Sequence, residues 1–135
     1  MSDAQAIHDA NQAFYTAFAA RDMAKMELIW AAEAPICCIH PGWAPLLGRR
    51  AVIESWAAIL SDPGGLDISC GDARIIEQDH GAMVVCREIM PQGQLLASNL
   101  FVRENGAWRL VHHHAGPAPQ LAAAIATPPD GAVVH

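Results

Sequence analysis

Three consecutive histidines, His112, His113 and His114, close a run of β-forming residues late in the chain, and His40 closes a shorter one earlier. Imidazole changes charge near neutral pH, so these side chains are the ones suited to moving a proton beside a carbonyl. A strand divides the trio, because successive residues face opposite sides of a sheet: His113 points away from His112 and His114. His113 and His40 are therefore the candidate general bases. His112 and His114 could reach one metal with His40, but two histidines two residues apart on a strand are common without one, and no metal is expected.

Arg87 is the second clue. It lies within Met83-Val84-Val85-Cys86-Arg87-Glu88-Ile89-Met90, where an arginine on a closed face needs a carboxylate or a ligand to pair with; a salt bridge between strands or an exposed edge is the alternative. Asn99 is the third, and a turn decides which histidine joins it. Asn105-Gly106 between apolar β-formers is a strong hairpin signal, since both residues tolerate positive φ. A two-residue turn sets Asn99 opposite His112, on one face with Trp108, Leu110 and His114. A loop of Glu104-Asn105-Gly106 with a bulge at Gly106 sets Asn99 opposite Val111, on one face with His113 and Ala115.

Other chemistry is missing from the pattern. There is no G-x-G-x-x-G, P-loop, G-x-S-x-G or H-E-x-x-H, so no cofactor is expected. Cys37, Cys38, Cys70 and Cys86 have no C-x-x-C spacing and sit in apolar or strand-like runs, as reduced core thiols do. Carboxylates and phenols are informative by their placement: the sole tyrosine, Tyr15, belongs to the first helix, and Asp67, Asp72 and Asp79 lie near strand ends.

These residues need elements to hold them. Ile7, Ala10, Phe14, Ala17 and Phe18 recur at helical spacing. Asp22 can cap a second helix carrying Met23, Met26, Ile29 and Trp30, which stops before Pro35. Residues 35–40 are too short for a helix and read as a strand. Gly48 opens a third helix with Val52, Ile53, Trp56, Ile59 and Leu60 on one side. Residues 66–77, 82–90, 94–103 and 107–115 are four strands parted by turn residues, Gln78-Asp79-His80-Gly81 and Pro91-Gln92-Gly93 among them. Helices followed by hairpin-linked strands predict an α+β domain with an antiparallel sheet over residues 1–117, then an Ala- and Pro-rich tail over 118–135.

The bulk numbers agree with one packed domain. The 135 residues are 53% hydrophobic and only 16% charged, which argues for extensive burial in a core and a subunit interface. A net charge of −6 without a basic cluster beyond Arg49-Arg50 leaves nothing to grip a phosphate backbone, so no nucleic acid is expected as a partner. No apolar run approaches the roughly 20 residues that cross a bilayer, and the N-terminus has no secretory pattern, so the expected location is cytoplasmic, with no membrane partner.

The element order, together with His40-Pro41-Gly42-Trp43, Gly48-Arg49 leading into the helix of Trp56, and Asn105-Gly106-Ala107-Trp108-Arg109-Leu110-Val111-His112-His113-His114, resembles the nuclear transport factor 2-like superfamily. The SnoaL-like branch and the association domain of calcium/calmodulin-dependent protein kinase are nearest in look, and the similarity spans residues 5–117. The resemblance implies a curved sheet wrapped around three helices into a cone, a cystatin-like roll, open onto an apolar pocket, with dimers formed through the outer sheet face. It also places association-domain pocket arginines at Arg87, Asn99 and Ala115, of which only Arg87 is arginine here; this favours the bulged hairpin with His113 inward.

On that reading Trp30, Val52 and Trp56 from the helices and Arg87, Asn99, Phe101, Val111 and His113 from the sheet line a small-molecule pocket. The expected function is a homodimeric small-molecule-binding protein in which Arg87 and Asn99 orient a carboxylate or carbonyl. An isomerase, dehydratase or cyclase using His113 or His40 is the alternative. A second is a non-catalytic association module assembling through Leu100, Val102, Trp108 and Leu110.

Overall fold

The computed structural model describes residues 3–64 and 67–118; the expected tail beyond 118 lies outside the described residues. The first helix, α1 (Ala4–Ala20), buries Ile7, Asn11, Phe14, Tyr15 and Phe18, a stripe at three- and four-residue spacing. It ends where Arg21 turns left-handed (φ 55°) and the Asp22 amide returns to the Ala17 carbonyl at 2.9 Å. The Asp22 side chain then accepts the Lys25 amide and starts α2 (Met23–Ile29).

The chain next runs beside the sheet, with Ala31 N–H donating to the Leu110 carbonyl at 2.9 Å. Two side chains hold this passage. Arg49 donates to the carbonyls of Glu27, Trp30 and Ala31, and the Glu104 carboxylate accepts the amides of Ala32, Glu33 and Ala34 at 2.7 to 3.1 Å. Two short strands, β1 (Cys37–Ile39) and β2 (Leu46–Leu47), precede α3 (Arg49–Ser61), which buries Val52, Ser55, Trp56 and Leu60.

Four longer strands follow: β3 (Ser69–Gln78), β4 (Gly81–Met90), β5 (Gly93–Glu104) and β6 (Ala107–Pro117). The sheet order is β2-β1-β6-β5-β4-β3. The α+β architecture is as expected, with one refinement: β1 runs parallel to β6, so the sheet is mixed rather than wholly antiparallel. Irregular pairing in β3, between Gly71 and Arg74, and in β6, opposite Leu100 and Phe101, marks bulges that bend the sheet over the helices.

The closing hairpin follows neither expected register. Glu104 pairs with Ala107 across a two-residue turn in which Asn105 and Gly106 have φ of 52° and 81°, yet Asn99 pairs with His113. The extra residue sits inside β6: Leu110 opposes Phe101, His112 opposes Leu100, and Val111 lies between without a partner. Leu110, His113 and Ala115 are buried, while Val111 and His112 are only half-buried. His113 thus faces inward as expected, by way of a bulge at Val111 rather than at Gly106. Two residues expected on the outer face are displaced: Leu110 is fully buried among the core residues, and Trp108 packs at the core margin under Arg103.

Candidate functional site

On β4 the alternation of burial is regular: Ala82, Val84, Cys86 and Glu88 face the helices, and Met83, Val85, Arg87 and Ile89 face away. Arg87 therefore lies on the opposite face from Asn99 and His113, where its Nε and Nη2 both donate to Gln94 Oε1 at 2.9 and 2.6 Å. Its expected place beside Asn99 is corrected by one residue of strand parity. The side chain that does enter is its neighbour, Glu88, which is 2% exposed.

Glu88 meets a polar cluster assembled from four elements. Tyr15 on α1 donates its hydroxyl proton to Glu88 Oε2 at 2.7 Å and accepts Asn99 Nδ2 at 3.1 Å. Asn99 also donates to Asn11 Oδ1 at 2.9 Å, and its own carbonyl oxygen contacts His113 Nδ1 at 2.5 Å. Because an amide oxygen only accepts, His113 carries its proton on Nδ1 and turns the Nε2 lone pair toward Glu88, 3.6 Å away. The thiols of Cys86 and Cys70 border the group, 3.3 Å from the Tyr15 hydroxyl and 3.5 Å from Asn11 Nδ2 respectively.

Burial sets the protonation of this cluster. Desolvation pushes the Glu88 carboxyl up to about 7, against a smaller downward pull from the Tyr15 hydrogen bond. The same desolvation, with weaker repulsion from His40, His112 and His114, lowers His113 to about 3. Glu88 and His113 are in ion-pair range, but the imidazole is neutral and the carboxyl, titrating at about 7, ionises only near that pH; below it the contact is a neutral acid–base one, which is cheaper to bury. Glu88 is thus a carboxyl that can hold or release a proton near neutral pH.

His40 forms a second, smaller group. Its Nε2 lies 2.9 Å from Ser55 Oγ, whose own proton goes to the Val52 carbonyl at 2.7 Å. The hydroxyl therefore accepts from His40, an arrangement that positions the ring and does not activate Ser55 as a nucleophile. Burial lowers His40 to about 4, so it too is neutral. Trp56 stands between the groups, its ring 4.9 Å from His40 and 6.0 Å from His113, while half-exposed Trp43 packs on the outer side of His40 at 4.8 Å.

Of the residues expected in the pocket, Trp30, Val52, Trp56, Asn99, Phe101 and His113 are buried in one core. Arg87 and Val111 do not join them; Val111 borders a shallow surface hollow with Leu100, Val102 and His80. His40 is inward, away from His112 and His114, and among the described residues no group of three His, Cys, Asp or Glu is placed to hold a metal. Reasoning from the sequence passed over Glu88, Tyr15 and Asn11. A signal for Glu88 existed: a two-residue turn at Pro91-Gln92 pairs Met90 with Gly93, hence Val84 with Asn99, which puts Glu88 on the Asn99 face.

A bent mixed sheet over three helices, with a polar cluster buried on its inner face, defines a small domain of the α+β class. The chain belongs to the SnoaL-like domain family, whose profile matches residues 7–119. Among solved structures it is similar to a dehydratase candidate of the NTF2-like family from Streptomyces avermitilis, at 28% identity and TM-score 0.78, covering 87% of this chain and 96% of that one. A candidate calcium/calmodulin-dependent protein kinase type II association domain from Thiobacillus denitrificans is 33% identical, with TM-score 0.75, covering 83% and 94%. The F-box protein SKIP8 of Arabidopsis thaliana is 29% identical over 112 residues, 82% of this chain but only 48% of that protein. No helix among the described residues is long and apolar enough to cross a membrane.

Proposed function

We propose that this domain binds a small organic molecule at the inner cluster and catalyses proton transfer on it, in the manner of a dehydratase or isomerase. The observation that carries the reading is the carboxyl of Glu88, raised to about 7 and hydrogen-bonded to Tyr15. In a dehydration, Glu88 as carboxylate takes the proton from a carbon next to a carbonyl. The same proton then leaves with the departing hydroxyl as water, which returns Glu88 to its starting form. Asn99 and His113 hold the geometry. His113 as the base is the weaker form of this reading, because an imidazole lowered to about 3 is a poor proton acceptor.

The test is turnover of β-hydroxy ketones, followed as enone absorbance, with Glu88→Gln. The variant should keep ligand-induced thermal stabilisation and lose about 100-fold or more in turnover. Undiminished turnover in Glu88→Gln would contradict the assignment.

A second reading rests on the 33% identity with an association domain. Here two copies pair through the outer sheet face, on which Val85, Leu100 and Val102 lie. Sedimentation equilibrium would show a dimer that Leu100→Arg converts to monomer; a wild-type monomer at micromolar concentration rules the reading out. The free thiols of Cys37, Cys38, Cys70 and Cys86 suit a reducing cytoplasmic setting.

A further inference from the structure

Resting on the small-molecule reading above, we infer that the inner cluster selects an uncharged carbonyl compound and rejects the carboxylates that an arginine-lined pocket would favour. The first ground is a census of charge. The buried polar residues of the described chain are Asn11, His40, Ser55, Glu88, Asn99 and His113, with Tyr15 beside them; no lysine or arginine is among them. Both histidines are neutral at pH 7, for the desolvation reasons already given. Glu88 is the group that can carry charge here, and that charge is negative. An anionic ligand would meet both the cost of its own desolvation and repulsion from Glu88, with no cation to offset either. Arg87, on the outer face with Gln94, cannot supply one.

The second ground is a donor with no nitrogen or oxygen acceptor. Trp56, fully buried between His40 and His113, has an indole N–H with no hydrogen-bond partner among the described residues. The Cys38 thiol beside it is a weak acceptor. A buried N–H left in this state costs free energy that a ligand oxygen would recover. Trp56 is thus positioned to receive a carbonyl oxygen, and the protonated form of Glu88 offers a further hydrogen. Both features favour a neutral acceptor over a hydrocarbon as well as over an anion.

The experiment uses the whole chain and three probes of one shape: acetophenone, benzoate and ethylbenzene, titrated at pH 8 and read from the backbone amide resonances of Asn99, Phe101 and Leu110, which every variant retains. Acetophenone should bind about tenfold or more tighter than benzoate, the penalty expected for one unscreened like charge. Glu88→Gln should narrow that gap by strengthening benzoate, Trp56→Phe should erase the preference for acetophenone over ethylbenzene, and Arg87→Ala should change neither. Benzoate binding as tightly as acetophenone, with both weakened by Trp56→Phe, would overturn the charge assignment and leave the small-molecule site standing. Failure of all three probes and of the larger 2-acetylnaphthalene to move any core resonance would overturn the site and the inference together.

Discussion

His113 Nε2 stands 3.6 Å from Glu88 Oε2 although β5 separates the strands that carry them. The contact is possible because the bulge at Val111 turns His113 inward beside Asn99, and because β4 is paired so that Glu88 rather than Arg87 faces the helices. Two groups that would attract strongly as ions form no ion pair, because burial keeps His113 neutral and lets Glu88 ionise only near pH 7; the groups facing Glu88 are Tyr15, Cys86, Cys70 and His113.

Stability should peak near pH 6.5. Glu88 keeps its proton in the folded chain up to about 7 rather than 4.5, so it stabilises the fold at low pH and that contribution is lost as pH rises from 4.5 to 7. His113 and His40 work oppositely: their folded values of about 3 and 4 lie below 6.5, so stability falls as pH drops below 6.5. Two histidines outweigh one carboxyl below 6.5, and Glu88 alone acts between 6.5 and 7. In urea titrations the stability of wild type relative to Glu88→Gln should fall by on the order of 3 kcal/mol from pH 4.5 to pH 8. A difference that stays constant with pH would show Glu88 to be solvated.

Tyr15→Phe removes the hydroxyl that donates to Glu88 and accepts from Asn99. Leaving two buried groups without their partner should cost on the order of 1–3 kcal/mol. The Glu88 carboxyl should titrate higher still, because the Tyr15 bond is what draws it down. Denaturation midpoints and a carboxyl titration measure the two effects separately.

Glu104→Ala takes the acceptor from the amides of Ala32, Glu33 and Ala34. Hydrogen exchange at those three amides should accelerate while that of the β4 and β5 ladders stays slow. Those backbone bonds hold the Glu104 carboxyl below its ordinary range, so its contribution is present above that range and disappears on acidification.

Gly81→Ala would put a Cβ 2.8 Å from the Phe101 carbonyl oxygen, a backbone atom that cannot step aside. A loss on the order of 1–3 kcal/mol is expected, measurable by thermal or urea denaturation.

Much of the architecture was legible because periodicity is a strong signal: Ile7, Phe14 and Phe18 on one helix and Val52, Trp56 and Leu60 on another are all buried as their spacing predicts. The parallel pairing of β1 with β6 was not, since three residues carry no sign of their direction. The site was harder for a physical reason. Strand β4 has apolar residues on both faces, so hydrophobicity alone does not distinguish Arg87 from Glu88 as the inward residue. The one-residue bulge at Val111 leaves no mark in a run of Leu110, Val111 and three histidines. Asn11 and Tyr15 lie on the same helical stripe as Phe14, but their polar groups matter only once Glu88 and Asn99 are known to face them.

The most direct measurement is a titration of the glutamate side-chain carboxyls by carbon-13 NMR in the intact chain. The account predicts one carboxyl with an apparent pKa of about 7 that is missing from Glu88→Gln, while the His113 ring stays neutral down to about pH 4. Glu88 titrating in the ordinary carboxylate range, or His113 taking up a proton near pH 6.5, would contradict it.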